Sequence, residues 1–188
     1  IKRDVEKKSA VNRGKYVDRF RYRITAFDYY NMTRVDLVKY ETPIYQIEHS
    51  CNQIYIKRDD LYPISFGGNK ARKAIYFFNE IKKEEADCVV TYGSSSSNHC
   101  RAISNIAASS NLPCYIIGPS EASKPTFNSK MMNLFGADIT IVPVDKVHDT
   151  IENKIAELKR AGKKPYFIPG GGHGNCGTQA YVDCYQEI

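Results

Sequence analysis

Residues 56–73 read Ile-Lys-Arg-Asp-Asp-Leu-Tyr-Pro-Ile-Ser-Phe-Gly-Gly-Asn-Lys-Ala-Arg-Lys, and this stretch decides the interpretation of the chain. Its centre is Gly-Gly-Asn-Lys at residues 67–70. Two adjacent glycines permit a tight turn and leave room for a ligand beside Lys70. A lysine amine forms imines with carbonyl compounds, and it becomes an effective nucleophile when burial or a neighbouring cation lowers its pKa. Arg72 and Lys73 supply such cations, although the run after the turn also suits an ordinary surface helix.

A second motif, Tyr-Gly-Ser-Ser-Ser-Ser-Asn-His-Cys-Arg, occupies residues 92–101, after an apolar strand and at the start of a predicted helix. Ser97 or Asn98 can cap that helix. Hydroxyls and backbone N–H groups at a helix start also bind anions, here the carboxylate of an amino-acid substrate. The two interpretations are compatible, since a capped helix start can also bind a carboxylate.

Together the two motifs resemble the D-cysteine desulfhydrase and 1-aminocyclopropane-1-carboxylate deaminase family of pyridoxal-phosphate enzymes. The family carries an Ile-Lys-Arg-Asp-Asp-Leu strand before Gly-Gly-Asn-Lys, and a Ser-Asn-His motif follows; this chain has both. The resemblance covers roughly residues 40–188, about the first half of a family member. It implies the tryptophan synthase beta-like fold, pyridoxal-phosphate fold type II, with only the N-terminal half present. We therefore expect either a fragment or a naturally shortened protein.

The resemblance also implies roles for individual residues. Lys70 is expected to be the Schiff-base lysine that later exchanges a proton with the substrate's Cα, and Ser97 a second catalytic residue. Three residues are expected to bind the cofactor: Lys70, Asn69 and Asn98, the last through the cofactor's phenolic oxygen. Four are expected to contact the substrate: Ser97, Asn98, His99 and Gly172.

The implied activity is a lyase reaction on a small amino acid, the β-elimination of D-cysteine to pyruvate, ammonia and sulfide. The alternatives are a 1-aminocyclopropane-1-carboxylate deaminase and a truncated α/β module that binds without catalysis. Two departures from the family pattern leave the substrate open. Ser96 stands where the family has glutamine, and Gly172 or His173 replaces a serine in the family's Pro-x-Gly-Gly-Ser loop.

The glycine-rich segment at residues 169–181 has a second interpretation. Its Gly172-x-Gly174-x-x-Gly177 pattern follows a predicted strand and begins a helix, as in a dinucleotide fingerprint. The acidic residue that would confirm a nicotinamide or flavin site would fall after the last residue of this sequence. We therefore favour a loop that lines the active-site cleft, as the resemblance implies.

Short apolar strands alternate with helices after residue 70, which predicts a parallel sheet covered on both faces in three αβα layers. We expect strands at 88–91, 114–117, 138–142 and 166–168, and helices at 70–83, 98–109, 123–135, 147–161 and from about 176 to 188. Before them, Ile54 and Ile56 alternate with Tyr55 and Lys57, which predicts a strand with one buried face.

The composition, with 42% hydrophobic and 26% charged residues over 188 positions, is that of a soluble globular protein. No apolar run approaches the length of a membrane span, so we expect a cytoplasmic protein without membrane contact. The six cysteines form no Cys-x-x-Cys pair, which favours free thiols in a reducing compartment. His99-Cys100 and His173 with Cys176 lack a second ligand pair, so we expect no metal site.

The net charge of +6 lies in residues 1–40, which hold eleven Lys or Arg and five Asp or Glu, whereas residues 41–188 hold sixteen of each. This division predicts a basic, aromatic extension at 1–40 and an α/β region at 41–188. Basic residues among aromatics can bind single-stranded nucleic acid. We favour instead an extension that packs on the α/β region or on a partner subunit, and we expect a homodimer with a small amino acid as substrate.

Overall fold

The computed structural model describes residues 40–188, which form a short hairpin followed by an α/β sheet. The hairpin pairs β1 (Ile44–Ile47) with β2 (Ile54–Lys57) in antiparallel register. The prediction of a strand here is confirmed, but the prediction of a buried face is wrong, because Ile54 and Ile56 are 36% and 42% exposed. A two-stranded ribbon of four-residue strands buries little surface by itself. The expected extension at 1–40 lies almost wholly outside the described residues and stays a prediction.

Four parallel strands form the main sheet: β3 (Cys88–Tyr92), β4 (Cys114–Pro119), β5 (Asp138–Val142) and β6 (Pro165–Ile168). Their order across the sheet is β5-β4-β3-β6, so β3 and β6 are neighbours. The helices are α1 (Asn69–Lys83), α2 (Asn98–Ser109), α3 (Phe127–Leu134), α4 (Val147–Arg160) and α5 (Asn175–Gln186). Short 3-10 turns lie at Asp59–Leu61, Ser120–Ala122, Val144–Lys146 and Gly170–Gly172.

Helices cover both faces of the central strand β3, as predicted. Cys88 and Val90 face α4 and pack with its buried residues Ile151 and Leu158. Alternate side chains of a strand point to opposite faces, and on the opposite face Thr91 meets the buried start of α2. Helix α1 packs against α2, and α5 packs against α1. The three-layer αβα prediction is therefore confirmed for the described residues.

Helix α3 is shorter than the predicted 123–135. It begins at Phe127, after Thr126, whose side chain accepts a hydrogen bond from the Ser129 amide in a capping box. The residue before a proline is disfavoured in helical geometry, and Pro125 therefore prevents the helix from starting at Ser123.

The described chain contains no helix of both the length and the apolar character that a bilayer crossing needs. All six cysteines lie in this part of the chain and are free thiols, of which Cys51 is exposed, Cys176 is half-buried and the other four are buried. Within residues 40–188, no three His, Cys, Asp or Glu side chains come together in a metal-binding group.

The parallel strands end at a common edge, and the two sequence motifs meet there. The loop after β3 carries the serine run and leads into α2, while the loop after the neighbouring β6 carries the glycine-rich segment and leads into α5. The carboxyl edge of a parallel sheet is where α/β proteins bind ligands. Helix α1 brings Lys70 to the same edge.

Candidate active site

The turn before α1 is held in a conformation that favours glycine. Residues 65–68 all have positive φ, from 47° at the first to 88° at the last. A Cβ added to Gly67 would lie 2.2 Å from the carbonyl oxygen of Asp60, so no other side chain fits there without a shift of the backbone. The Gly68 amide donates to the Asp59 carbonyl at 2.6 Å. This packing fixes where α1 begins and therefore where Lys70 lies.

Lys70 is half-buried at the first turn of α1. Its Nζ donates a hydrogen bond to the Gly171 carbonyl oxygen at 2.8 Å, which links α1 to the loop after β6. Partial desolvation, and then the charge of Lys73, lower the pKa of Lys70 from its ordinary value. A lower pKa leaves more of the amine neutral and nucleophilic at a given pH.

Lys73 lies one helical turn further on and faces the same loop. Its Nζ donates to the Gly172 carbonyl at 3.2 Å, and it lies over the ring of Tyr181 at 5.9 Å from the centroid. Lys73 therefore is the neighbouring cation that the sequence predicted.

Arg72 is not such a cation, and that prediction is wrong. Its side chain is 1% exposed and forms ion pairs with Asp59 at 2.8 Å and with Glu187. Although burial opposes the charge, the hydrogen bonds that Arg72 donates to Asp59 and Glu187 raise its pKa. Partial burial acts to raise the pKa of Asp59, but the hydrogen bonds that Arg72 and Thr42 donate to its carboxylate lower it. Arg72 therefore ties α1 to the 3-10 turn after β2 and to the residue that follows α5.

The glycine-rich loop between β6 and α5, here called the glycine loop, is shaped by close backbone packing. A Cβ on Gly170 would lie 2.7 Å from the Tyr92 ring, and one on Gly177 would lie 2.0 Å from the Gly172 carbonyl oxygen. The loop presents the carbonyls of Gly171 and Gly172 to the two lysines. A dinucleotide fingerprint presents backbone N–H donors to a pyrophosphate instead. The geometry therefore favours a loop that serves the lysine site.

Ser97 is the N-cap of α2, and its Oγ accepts a hydrogen bond from the Cys100 amide at 3.1 Å. Because that bond uses a lone pair of the oxygen, the hydroxyl hydrogen can still be donated to a ligand. Asn98 is exposed, and its Oδ1 accepts from Asn128 Nδ2 at 3.0 Å. That contact leaves the donor end of the Asn98 amide for an oxygen acceptor.

His99 is not exposed to the cleft, being only 2% accessible. Its Nε2 lies 2.9 Å from Thr91 Oγ1, and Thr91 donates its own hydrogen to the Ile168 carbonyl at 2.8 Å. The Thr91 oxygen is therefore the acceptor, and the His99 proton resides on Nε2. Burial, then the charges of Lys70, Lys73 and His173, lower the pKa of His99 to about 3, so the ring is neutral near neutral pH.

The second ring nitrogen of His99, Nδ1, is buried beside the glycine loop. Among the described residues, Nδ1 is the buried side-chain nitrogen or oxygen that lacks a hydrogen-bond partner. It lies 3.5 Å from the position that a Cβ on Gly172 would occupy. The predicted substrate contacts of His99 and Gly172 stay predictions, and the buried ring is placed to offer an acceptor at that point.

The structure brings Lys70, Lys73, His99 and the glycine loop together, and Ser97 and Asn98 begin the helix that carries His99. Asn69 is the exposed first residue of α1, and its supporting role stays a prediction. Two contributors were missed: Thr91, which fixes the His99 tautomer, and Asn128, which holds Asn98 and the Ser96 carbonyl. Thr91 stands out in the sequence as a polar residue in an apolar strand, whereas nothing local marks Asn128.

Residues 35–188 match the family model described as pyridoxal-phosphate dependent enzyme. The chain belongs to this family. It is 34% identical over 169 residues to a D-cysteine desulfhydrase of Yersinia enterocolitica, with 82% of this chain and 50% of that protein covered. It is also 34% identical over 161 residues to a putative 1-aminocyclopropane-1-carboxylate deaminase of Pyrococcus horikoshii, with the same coverage.

A solved structure described as an ACC deaminase homologue superposes with a TM-score of 0.73 at 32% identity, covering 82% of this chain and 50% of that one. The family match and the structural likeness confirm the predicted α/β fold of pyridoxal-phosphate fold type II. The chain spans about half the length of the curated relatives it matches.

The residues at the carboxyl edge fit the cofactor that the family uses. Pyridoxal phosphate carries an aldehyde, which needs a reactive amine, and Lys70 has a lowered pKa. It also carries an anionic phosphate and a phenolic oxygen. Lys73 and the N-termini of α1, α2 and α5 make this edge positive, and the donor end of Asn98 suits an oxygen acceptor.

Proposed function

We propose that this chain carries the lysine-bearing part of the active site of a pyridoxal-phosphate-dependent lyase that acts on a small amino acid. The preferred reaction is the β-elimination of D-cysteine to pyruvate, ammonia and sulfide. One observation carries the proposal: Lys70, held on the Gly171 carbonyl at 2.8 Å, has a lowered pKa at the carboxyl edge of a sheet whose family depends on this cofactor.

Lys70 would hold the cofactor covalently and would later move the substrate's Cα proton through its Nζ. Partial desolvation and the charge of Lys73 favour the neutral amine that both roles require. When bound, the cofactor supplies an electron sink that stabilises negative charge at Cα. The Gly171 carbonyl oxygen would hold the amine in place by accepting its hydrogen bond.

Asn98 would donate its amide N–H to the cofactor's phenolic oxygen, with Asn128 holding the acceptor end of that amide. Ser97 would donate its hydroxyl hydrogen to the substrate, beside the N–H groups that begin α2. The positive end of a helix favours a carboxylate. The substrate carboxylate is therefore proposed to lie at the start of α2.

A second candidate is the deaminase reaction on 1-aminocyclopropane-1-carboxylate. Its support is the 0.73 TM-score to an ACC deaminase homologue, together with the curated deaminase relative from Pyrococcus horikoshii. Lys70 and Lys73 would have the same roles in either reaction. The departures from the family pattern at Ser96, and at Gly172 or His173, fall at positions that are expected to determine which substrate is bound.

Association of two copies in the cytoplasm is part of the proposal. Large apolar side chains lie exposed on the hairpin and at the end of α5, including Tyr45 at 50%, Tyr55 at 57% and Tyr185 at 79%. Exposed apolar surface of this kind favours association.

The alternative function remains a module that binds a ligand or partner without catalysis.

The proposal is tested by absorbance of the purified chain mixed with pyridoxal phosphate. A new long-wavelength band is expected in the wild type and in the control variant Lys130→Ala, whose lysine is exposed on α3. Lys70→Ala is expected to lack the band. Addition of D-cysteine or of 1-aminocyclopropane-1-carboxylate should then change the band, and the more effective amino acid identifies the substrate. A band that persists in Lys70→Ala contradicts the proposal.

A further inference from the structure

Arg101 lies half-buried near the start of α2, and its guanidinium contacts neutral groups from two other segments. Its Nε donates a hydrogen bond to Ser65 Oγ at 3.2 Å, and its Nη1 donates to Asn128 Oδ1 at 2.9 Å. The Phe66 ring packs on the guanidinium, with its centroid 5.5 Å from Cζ. Among the described residues no carboxylate acts on Arg101, and burial lowers its pKa. Unlike Arg72, this arginine is not held by ion pairs.

The backbone at Ser65 and Phe66 adopts a conformation that is uncommon outside glycine. Their φ angles are 47° and 64°, and a bulky aromatic residue stays in this region only where its surroundings hold it there. The Ser65 amide donates to Asn105 Oδ1 at 3.1 Å. Phe66 is 63% exposed and meets the Phe127 ring edge to face at 5.6 Å. These contacts hold the Ser65 hydroxyl and the Phe66 ring against Arg101 and thereby fix its guanidinium.

Asn128 is buried on α3, and each end of its amide has a partner with a single possible role. Its Oδ1 faces Arg101, which can only donate, and its Nδ2 lies 2.7 Å from the Ser96 carbonyl oxygen, which can only accept. The Asn128 amide therefore has one orientation, and its Nδ2 also donates to Asn98 Oδ1 at 3.0 Å. Because Asn98 accepts through its oxygen, its own N–H groups point away from Asn128. Within residues 40–188 those N–H groups have no partner, which leaves them available to a ligand.

We propose that Arg101 is a positioning residue that fixes the Asn128 amide and thereby makes Asn98 present its N–H groups, and not its oxygen, to a ligand. Without Arg101, the buried Asn128 Oδ1 would lack a donor, and an unsatisfied buried oxygen is unfavourable. The Asn128 amide would then turn toward water, and Asn98 could present either end. That the ligand acceptor is the cofactor's phenolic oxygen rests on the proposed function, whereas the orientation of the Asn98 amide does not.

The first test uses the full chain without cofactor and follows, by NMR, the exchange of side-chain amide protons with water. In the wild type the Asn128 protons should exchange slowly, and the Asn98 protons about as fast as those of exposed Asn133. Arg101→Met should speed exchange at Asn128 by about fivefold, the factor that corresponds to one lost hydrogen bond. Arg160→Met, at an exposed arginine of α4, is the control and should leave both amides unchanged. An unchanged rate at Asn128 in Arg101→Met would overturn the proposal.

A second variant separates orientation from a general loss of structure. Asn128→Asp keeps the side-chain shape and the bond from Arg101, so it should fold, but both of its oxygens accept hydrogen bonds. Asn98 should then turn its N–H groups to that carboxylate, and their exchange should slow by roughly tenfold, whereas a loosened structure would speed it. Asn133→Asp adds the same charge at an exposed position of α3 and should have no effect. Asn98 protons that exchange in Asn128→Asp as they do in the wild type would overturn the proposal.

The attached cofactor gives a separate readout. An N–H donor at the phenolic oxygen stabilises its anionic form, so the absorbance change that accompanies its protonation should move to higher pH in both Arg101→Met and Asn128→Asp. A midpoint that neither variant moves would overturn the assignment of the Asn98 donor to the phenolic oxygen. If wild-type Lys70 forms no adduct while the exchange results hold, the cofactor role of Lys70 fails and the orientation of Asn98 is supported. If the adduct forms but the variants exchange like the wild type, the role of Arg101 fails and the proposed function stands.

Discussion

Lys70 and Arg72 lie two residues apart on the same helix, yet their surroundings shift their pKa values in opposite directions. Arg72 is 1% exposed and paired with two carboxylates, which raise its pKa. Lys70 is half-buried, donates to a neutral carbonyl and has a lowered pKa. Successive helical residues are rotated by about 100°, so positions i and i+2 face opposite sides. One face of α1 therefore holds the fold together and the other holds a reactive amine.

The largest effect is expected from removal of the paired cation. Arg72→Met would leave the carboxylates of Asp59 and Glu187 without their main partner in a largely buried place. Breaking such a pair costs about 3 kcal/mol or more of unfolding free energy. Urea denaturation measures this loss, and Arg160→Met on the exposed end of α4 should cost less than about 0.5 kcal/mol. A loss below about 1 kcal/mol for Arg72→Met would show that the pairing does not stabilise the fold.

An intermediate effect is expected from the pH dependence of stability, which arises at buried His99 near Lys70. Its pKa is lowered to about 3 in the folded chain, whereas an unfolded histidine titrates near pH 6.5. The unfolded chain therefore takes up a proton that the folded chain does not, and stability falls as the pH falls below about 6.5. We expect a loss of about 1.5 kcal/mol between pH 6.5 and 5.0.

The measurement is urea denaturation at both pH values for the wild type and two variants. His99→Gln should remove most of the pH-dependent loss, whatever its own effect on stability. His148→Gln, at an exposed histidine, should keep it. An equal pH-dependent loss in His99→Gln would contradict the assignment of a buried neutral ring.

The smallest effect is expected from Lys73, the cation that helps to lower the pKa of Lys70. In Lys73→Gln that charge is absent, so the pKa of Lys70 should rise and Lys70 should hold its proton to higher pH. The pH dependence of covalent trapping on Lys70 measures the shift. Lys130→Gln on α3 serves as the control. A pH dependence of trapping that is unchanged in Lys73→Gln would show that Lys73 does not act on Lys70.

The sequence predicted the sheet well because alternating strands and helices are a local pattern. It also predicted a tight turn before Lys70, and the 2.2 Å approach of a Cβ at Gly67 to the Asp60 carbonyl oxygen explains why glycine is needed there. It failed where the answer depends on distant residues. Arg72 is two residues from Lys70 in sequence, but its partners are Asp59 and Glu187. The alternating pattern of β2 correctly predicts a strand, but it does not show whether another element packs on the apolar face, and Ile54 and Ile56 are exposed.

The site residues show the same limit. Lys73 follows Lys70 by one helical turn, so its position on the same face is readable from the sequence. The burial of His99 depends on Thr91 and on the Ile168 carbonyl of a neighbouring strand. Asn128 reaches Asn98 from α3. Contacts between elements of this kind have no local sequence signature.

The most direct test of the contrast within α1 is a map of every lysine in the chain after treatment with pyridoxal phosphate and borohydride at pH 7.5. The account predicts that the reduced adduct lies mainly on Lys70, with little on Lys73 or on exposed lysines such as Lys130, and that D-cysteine lowers the label on Lys70 alone. Label spread evenly over the exposed lysines, with Lys70 no more reactive than the rest, would contradict it.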